Sequence, residues 1–312
     1  TTSLTAGNTY MGTSSLPNQA GAFGISDTPL ALSAGILGIA GQVTLGRDLM
    51  VTSSATLRNN TLNNAMVTGA VNIASGQSLT VDSRNNGTAL VGGLLDLQGP
   101  ITGAGTLVIG NSSYDATVRF SSSVNGIGMN TISGGVTLGA SRLQIASDTN
   151  FVGPATAATI LSGPLGIGTL TLNPAGSIEA LNAARTVVNP VSFGATGTVS
   201  FGGRYGLVLS GPVYNFSTGA RTLAVNTIQD AVTLAGAITS GTAFTKSGAG
   251  TLVLAGSNTF TQNLTLSAGL LQFNSAQNLT AAAGTLFVLN GGVLRLASGT
   301  ATMAGTLSVT SA

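Results

Sequence analysis

Residues 244–273 read Phe244-Thr245-Lys246-Ser247-Gly248-Ala249-Gly250-Thr251-Leu252-Val253-Leu254-Ala255-Gly256-Ser257-Asn258-Thr259-Phe260-Thr261-Gln262-Asn263-Leu264-Thr265-Leu266-Ser267-Ala268-Gly269-Leu270-Leu271-Gln272-Phe273. Leu252 and Leu254 alternate with Thr251 and Val253, the period-two pattern of a strand with one buried face. Gly256-Ser257-Asn258 then breaks the run with turn-forming residues. Leu264 and Leu266 mark a second strand, Ala268-Gly269 a turn, and Leu271 and Phe273 a third. Each strand is too short to bury its apolar face alone, so the stretch needs similar units stacked against it.

The rest of the chain supplies them. Gly103-Ala104-Gly105-Thr106-Leu107-Val108-Ile109 repeats Gly248 to Leu254, and Gly166-Ile167-Gly168-Thr169-Leu170-Thr171-Leu172 is a looser copy. Leu-x-Gly followed by Pro or Ala recurs at Leu97 to Pro100, Leu161 to Pro164, Leu209 to Pro212 and Leu234 to Ala237. Proline cannot donate to a ladder, so this element predicts a strand that stops at a corner. Successive copies fall roughly twenty to twenty-five residues apart, too close for propeller blades and without the helical side of leucine-rich repeats. No stretch has a convincing helical period. The predicted fold is all-β: one elongated right-handed parallel β-helix over residues 1–312, a segment of a longer or stacked assembly. The competing sandwich or barrel of antiparallel hairpins draws on Asn86-Gly87, Asn125-Gly126 and Asn290-Gly291, which suit two-residue turns.

Composition agrees with β structure. The 312 residues are 43% hydrophobic yet only 6% charged, with 45 glycines and no histidine, cysteine or tryptophan. A compact globule carries about 25% charged residues, so here Thr, Ser, Asn, Gln and backbone must form the wet surface. Arg47, Arg58, Arg84, Arg119, Arg142, Arg185, Arg204, Arg221, Lys246 and Arg295 are all isolated along the chain. Nucleic-acid binding needs a concentrated basic footprint and is not expected. No apolar run reaches the length of a membrane-spanning helix, so membrane insertion of this segment is not expected either.

Lys246 to Leu254, Gly256-Ser257-Asn258-Thr259-Phe260-Thr261 and Leu264 to Leu271 closely resemble the passenger-associated repeat of autotransporters, also called the autotransporter-associated β-strand repeat. A worn second copy runs from Gly7-Asn8-Thr9-Tyr10-Met11-Gly12 to Leu30-Ala31-Leu32-Ser33-Ala34-Gly35-Ile36-Leu37. The resemblance implies a β-helical passenger, exported to the bacterial surface or beyond, with the repeat linked to efficient export. It implies no activity.

Chemistry is sparse. The acids are Asp27, Asp48, Asp82, Asp96, Asp115, Asp148, Glu179 and Asp230. Enzymes on β-helices need clustered carboxylates. Stacking could pair Asp27 with Asp48, or Asp96 with Asp115, each near one coil apart. The simpler expectation is corner residues beside an arginine, as in Arg47-Asp48 and Asp82-Ser83-Arg84. Without histidine or cysteine the usual triads, zinc sites and transition-metal sites are excluded. Lys246 is the only amine side chain; a Ser247–Lys246 pair is conceivable, but a solvated strand edge is the simpler expectation for that lysine. Gly103-x-Gly105, Gly126-x-Gly128 and Gly166-x-Gly168 lack the following helix of a phosphate loop and are expected to be β corners.

The sequence therefore predicts no catalytic, cofactor-binding or metal-binding residues, no cofactor and no enzymatic activity. It predicts a structural protein outside a bacterial cell: a shaft, adhesin stalk or fibre subunit. The expected partners are further copies or repeats stacking end to end, since Thr1 begins mid-pattern and Gly305-Thr306-Leu307-Ser308-Val309 resembles a repeat just starting. Cell-surface glycans are the second expected partner, and a polysaccharide-active or glycan-binding β-helix is the alternative function.

Overall fold

The computed structural model describes residues 2–4, 8–11, 28–39, 42–60, 62–83, 93–110, 117–216, 219–226, 229–274, 279–281, 286–298 and 306–309. Its contacts divide into two compact units, Thr1–Asn150 with Leu161–Leu170, and Phe151–Ile160 with Thr171–Ala312. Both are built from stacked parallel strands, and the fold is a β-solenoid. Among the described residues the helical content is a single one-turn 3-10 segment, Ala155–Ala157.

In the first unit successive coils lay short strands on three parallel sheets, the first of which ends at Ile101–Gly103. Leu30–Leu32, Leu49–Val51, Val71–Ile73 and Ile101–Gly103 stack on the first sheet. Ile36–Ile39, Ala55–Asn59, Ser78–Ser83, Thr106–Ile109 and Val136–Leu138 stack on the second. Ala65–Val67, Leu94–Leu97, Thr117–Phe120 and Arg142–Ile145 stack on the third. Alternation decides what is buried. Ala55–Asn59 buries Ala55, Leu57 and Asn59 and turns Thr56 and Arg58 outward, as a period of two requires.

Register measures the coil directly. Leu30 pairs with Leu49 and Leu49 with Val71, so these coils close at the spacing expected from sequence. The next coil is clearly longer, because Val71 pairs with Ile101. The extra residues fall between Ser78–Ser83 and Leu94–Leu97, the second and third sheets.

The second unit repeats the plan. Leu207–Leu209, Ala231–Leu234, Thr251–Leu254, Gly269–Phe273 and Gly292–Leu296 form one sheet. Val191–Phe193, Val213–Phe216, Ala237–Ser240 and Asn258–Phe260 lie on another. Gly197–Phe201, Arg221–Val225, Phe244–Ser247, Leu264–Leu266 and Leu286–Leu289 complete the coils. Leu207 pairs with Val232, Ala231 with Thr251, Thr251 with Leu270 and Gly269 with Gly292. Every one of these steps stays within the range expected from the repeats, and none matches the long coil of the first unit. The core is Leu, Val, Ile and Phe throughout; Phe244 and Phe260, from two sheets, meet at 5.9 Å between ring centroids.

Leu-x-Gly elements form corners in both units, and the reason for glycine is the neighbouring coil. A Cβ on Gly99 would overlap the carbonyl oxygen of Gly69, and one on Gly256 the carbonyl oxygen of Gly236. Coils one strand spacing apart, about 4.8 Å, leave no room for a side chain pointing along the stack. Asn125-Gly126 does form a two-residue hairpin, joining antiparallel Ser123–Val124 and Ile127–Gly128 with φ of 51° and 79°. It is an excursion within a parallel fold. Asn86-Gly87 lies outside the described residues.

Candidate functional site

Lys246 reverses its expected place. It is fully buried, not a solvated edge. Phe244–Ser247 alternates with Phe244 and Lys246 inward, and Lys246 stacks between Leu223 and Leu266 of the neighbouring coils. Its ammonium donates to three backbone carbonyls: Ser247 at 2.7 Å, Gly248 at 2.8 Å and Ala268 at 3.1 Å. An ammonium has three donors and no acceptor, so its capacity is filled. Two of the carbonyls belong to its own glycine corner and the third to the corner one coil later. Burial pushes its pKa down to about 8, because the charged form loses its hydration. The bonds go to the Ser247 carbonyl rather than to its hydroxyl, which is the geometry of a pin and not of an activated serine.

Arg221 is a second buried cation of this unit. It lies in register with Phe244 and donates from Nη2 to the Gly194 carbonyl. Desolvation pushes its pKa down as well. The strands flanking Lys246, namely Arg221–Val225, Leu264–Leu266, Thr251–Leu254 and Gly269–Phe273, contain no acidic residue.

Four of the acids engage groups on the adjacent coil. Asp82 stands directly opposite Arg58 in the parallel ladder, with Arg58 Nε 3.4 Å from Asp82 Oδ2. Asp96 stands opposite Arg119 in the same way, at 4.0 Å. It also accepts from Ser121 Oγ at 2.6 Å and Gln98 Nε2 at 3.1 Å, and Arg119 continues the row by donating to Gln144 Oε1 at 3.0 and 3.1 Å. Asp48 accepts from the Ala70 amide at 2.7 Å, and Asp230 from the Gly206 amide at 3.1 Å, each one coil away. Arg47 turns from its neighbour Asp48 to the Thr28 carbonyl, at 2.6 Å. Asp82 and Asp96 thus lie within strands rather than at corners, and the arginine each faces is supplied by the adjacent coil, not by a sequence neighbour. Asp27 and Asp115, needed for the two coil-to-coil carboxylate pairs considered from sequence, lie outside the described residues, as does Arg84.

No three acidic side chains among the described residues come together in a way that could hold a metal ion. No helix among them is long and apolar enough to cross a membrane. Of the three glycine pairs, Gly126–Gly128 lies in the hairpin, while Gly103 and Gly166 sit at corners with φ of 102° and 68°, and a Cβ on either would overlap the neighbouring coil. A shallow groove crosses three coils of the first unit, lined by Gly35, Ser54, Thr56, Ser78 and Thr80. Its hydroxyls are partly engaged, with Ser54 Oγ accepting from the Ser78 amide at 3.0 Å.

Sequence reasoning misses the buried asparagines. Asn258 accepts from the Ile238 amide at 3.0 Å and donates to the Gly256 carbonyl at 2.8 Å. Asn130 accepts from the Ile101 amide and donates to the Pro164 carbonyl, both at 2.8 Å, so it joins three successive levels of the first unit. The available signal is an Asn close to a glycine or proline corner, where a strand leaves amides that the ladder cannot satisfy.

No curated protein and no solved structure matches the chain. Residues 244–273, which hold the lysine pin, the Asn258 corner and one full coil of the solenoid, match the family model of the passenger-associated-transport-repeat.

Proposed function

We propose that this chain is a structural, passenger-type β-solenoid of an exported bacterial protein, acting outside the cell as a shaft, stalk or fibre unit. The observation that carries this reading is the repeat match at residues 244–273 on a complete coil. The polar interior supports it. Lys246, Asn258 and Asn130 are engaged with backbone groups, and Asp82 and Asp96 face arginines, so the charged chemistry goes into holding coils together. The chain carries no catalytic activity of its own on this reading, and it associates with further coils end to end. Parallel strand edges recruit such partners.

The test is accessibility on intact cells expressing the parent protein. Antibody raised against this segment should label unpermeabilised cells or the culture medium, and added protease should remove the signal. Labelling only after lysis would refute the reading. Glycan binding is the second reading, favoured by the hydroxyl-lined groove at Ser54, Thr56, Ser78 and Thr80. A glycan array with the purified chain separates the two: binding lost in Thr56→Val with Thr80→Val favours an adhesin, and a blank array favours a passive shaft.

A further inference from the structure

We propose that Lys246 selects the register in which successive coils stack, and that it does so without adding net stability. The apolar rows around it cannot choose by themselves. Phe244 stacks on Leu264 and Leu264 on Phe287, while Leu266 stacks on Leu289. A slip of two positions, which sets Phe244 on Leu266 and position 246 on Ala268, keeps the inward parity of each strand and leaves Phe244 on a leucine, so the alternation alone does not exclude it. A buried face forbids a one-residue slip, which would turn the apolar set outward, but parity by itself does not forbid a two-residue one.

The lysine breaks this degeneracy. Two of its three acceptors, the Ser247 and Gly248 carbonyls, travel with its own coil, but the third, the Ala268 carbonyl, belongs to the next. A two-position slip carries Ala268 away and leaves a buried ammonium with an unfilled donor. The glycine corners reinforce the match. Gly248 and Gly269 are both left-handed, with φ of 73° and 70°, and a Cβ on Gly269 would strike the Gly248 and Gly250 carbonyl oxygens. No acid on the flanking strands offers the ammonium an alternative partner. Buried ions replaced by apolar groups of similar size often leave stability unchanged or raised, while a cation that has lost its partners is strongly destabilising. That asymmetry is what a register selector needs.

The experiment uses the absence of native cysteine. Thr245 and Thr265 are outward and directly paired, so Thr245→Cys with Thr265→Cys has Cα atoms about 4.8 Å apart and can form a disulfide. Thr245→Cys with Ser267→Cys lies one coil up and two positions along, about 8 Å, beyond disulfide reach. The slipped register exchanges these two relationships. With Lys246 present, only the first pair should oxidise. In Lys246→Met and Lys246→Leu the second pair should oxidise as well, and the unfolding midpoint of these variants without the cysteines should equal or exceed that of the parent. The proposal is overturned if the second pair stays reduced in both variants. It is equally overturned if both fail to fold or melt well below the parent, since the lysine would then be a net stabiliser.

Discussion

Arg58 and Asp82 face each other across consecutive coils, directly paired in the parallel ladder, with Nε 3.4 Å from Oδ2 and the aspartate fully buried. One turn of the solenoid separates them along the chain. Removing the arginine takes away the cation that faces a buried carboxylate, so Arg58→Met should destabilise the first unit by about 3 kcal/mol. Replacing both, as Arg58→Met with Asp82→Leu, should recover most of that loss. Urea unfolding of the single and double variants checks it; equal losses in both would mean that Asp82 is held by other contacts.

The corner glycines offer a sharper contrast. Gly256 faces the Gly236 carbonyl with no room for a methyl group, whereas Gly241 has nothing within 4 Å of an added Cβ. Gly256→Ala forces two coils apart and should cost about 3 kcal/mol. Gly241→Ala meets no atom and restricts the unfolded chain, so it should be neutral or stabilising by about 0.5 kcal/mol. Thermal melts of the two variants suffice, and a similar loss from both would mean that backbone conformation, not coil spacing, sets the glycine requirement.

Why some of this is legible in the sequence and some is not follows from particular residues. Period-two alternation locates the strands, and Leu-x-Gly locates corners, because both patterns are local. Lys246 is misplaced when residue type outweighs parity: Phe244 is inward, and alternate residues on the same strand share a face. The Asp82 and Asp96 partners are unreadable for a different reason. Which arginine faces which aspartate depends on coil length, and the coil from Val71 to Ile101 is far longer than the coil from Leu30 to Leu49. Insertions between strands set that variation and leave no periodic trace. Gly256-Ser257-Asn258 reads correctly as a turn, but turn propensity alone does not say that the Asn258 side chain points inward to serve the Ile238 amide of the preceding coil.

That amide makes Asn258 testable. Asn258→Leu fills a similar volume but strands the Ile238 N–H and the Gly256 carbonyl, and unsatisfied buried backbone groups cost about 1–3 kcal/mol each. A loss of about 3 kcal/mol is expected from the two together. Asn258→Asp keeps an acceptor for Ile238 but sets a buried carboxylate against the Gly256 carbonyl, so at neutral pH it should lose at least as much stability as the leucine variant. Hydrogen exchange at the Ile238 amide reads the bond directly: it should accelerate in the leucine variant and stay slow in the aspartate one.

The buried lysine gives the chain an alkaline signature. Its pKa is about 8 in the folded protein against 10.5 for an ordinary lysine. Below pH 8 both folded and unfolded chains carry the proton, and the desolvation penalty of the buried charge is present in full. Between pH 8 and 10.5 the folded chain releases the proton while the unfolded chain keeps it. The unfolded state then binds more protons, so stability must rise with pH across this window. The contribution of this group has a slope of up to about 1.4 kcal/mol per pH unit and is complete above pH 10.5. Other groups titrate there too, so the measured quantity is the difference between the parent chain and Lys246→Met in urea unfolding across the alkaline range. The parent should gain on the variant as pH rises. A flat difference would mean that the three carbonyls hold the ammonium charged well above pH 8, and that hydrogen bonding, not desolvation, governs this corner.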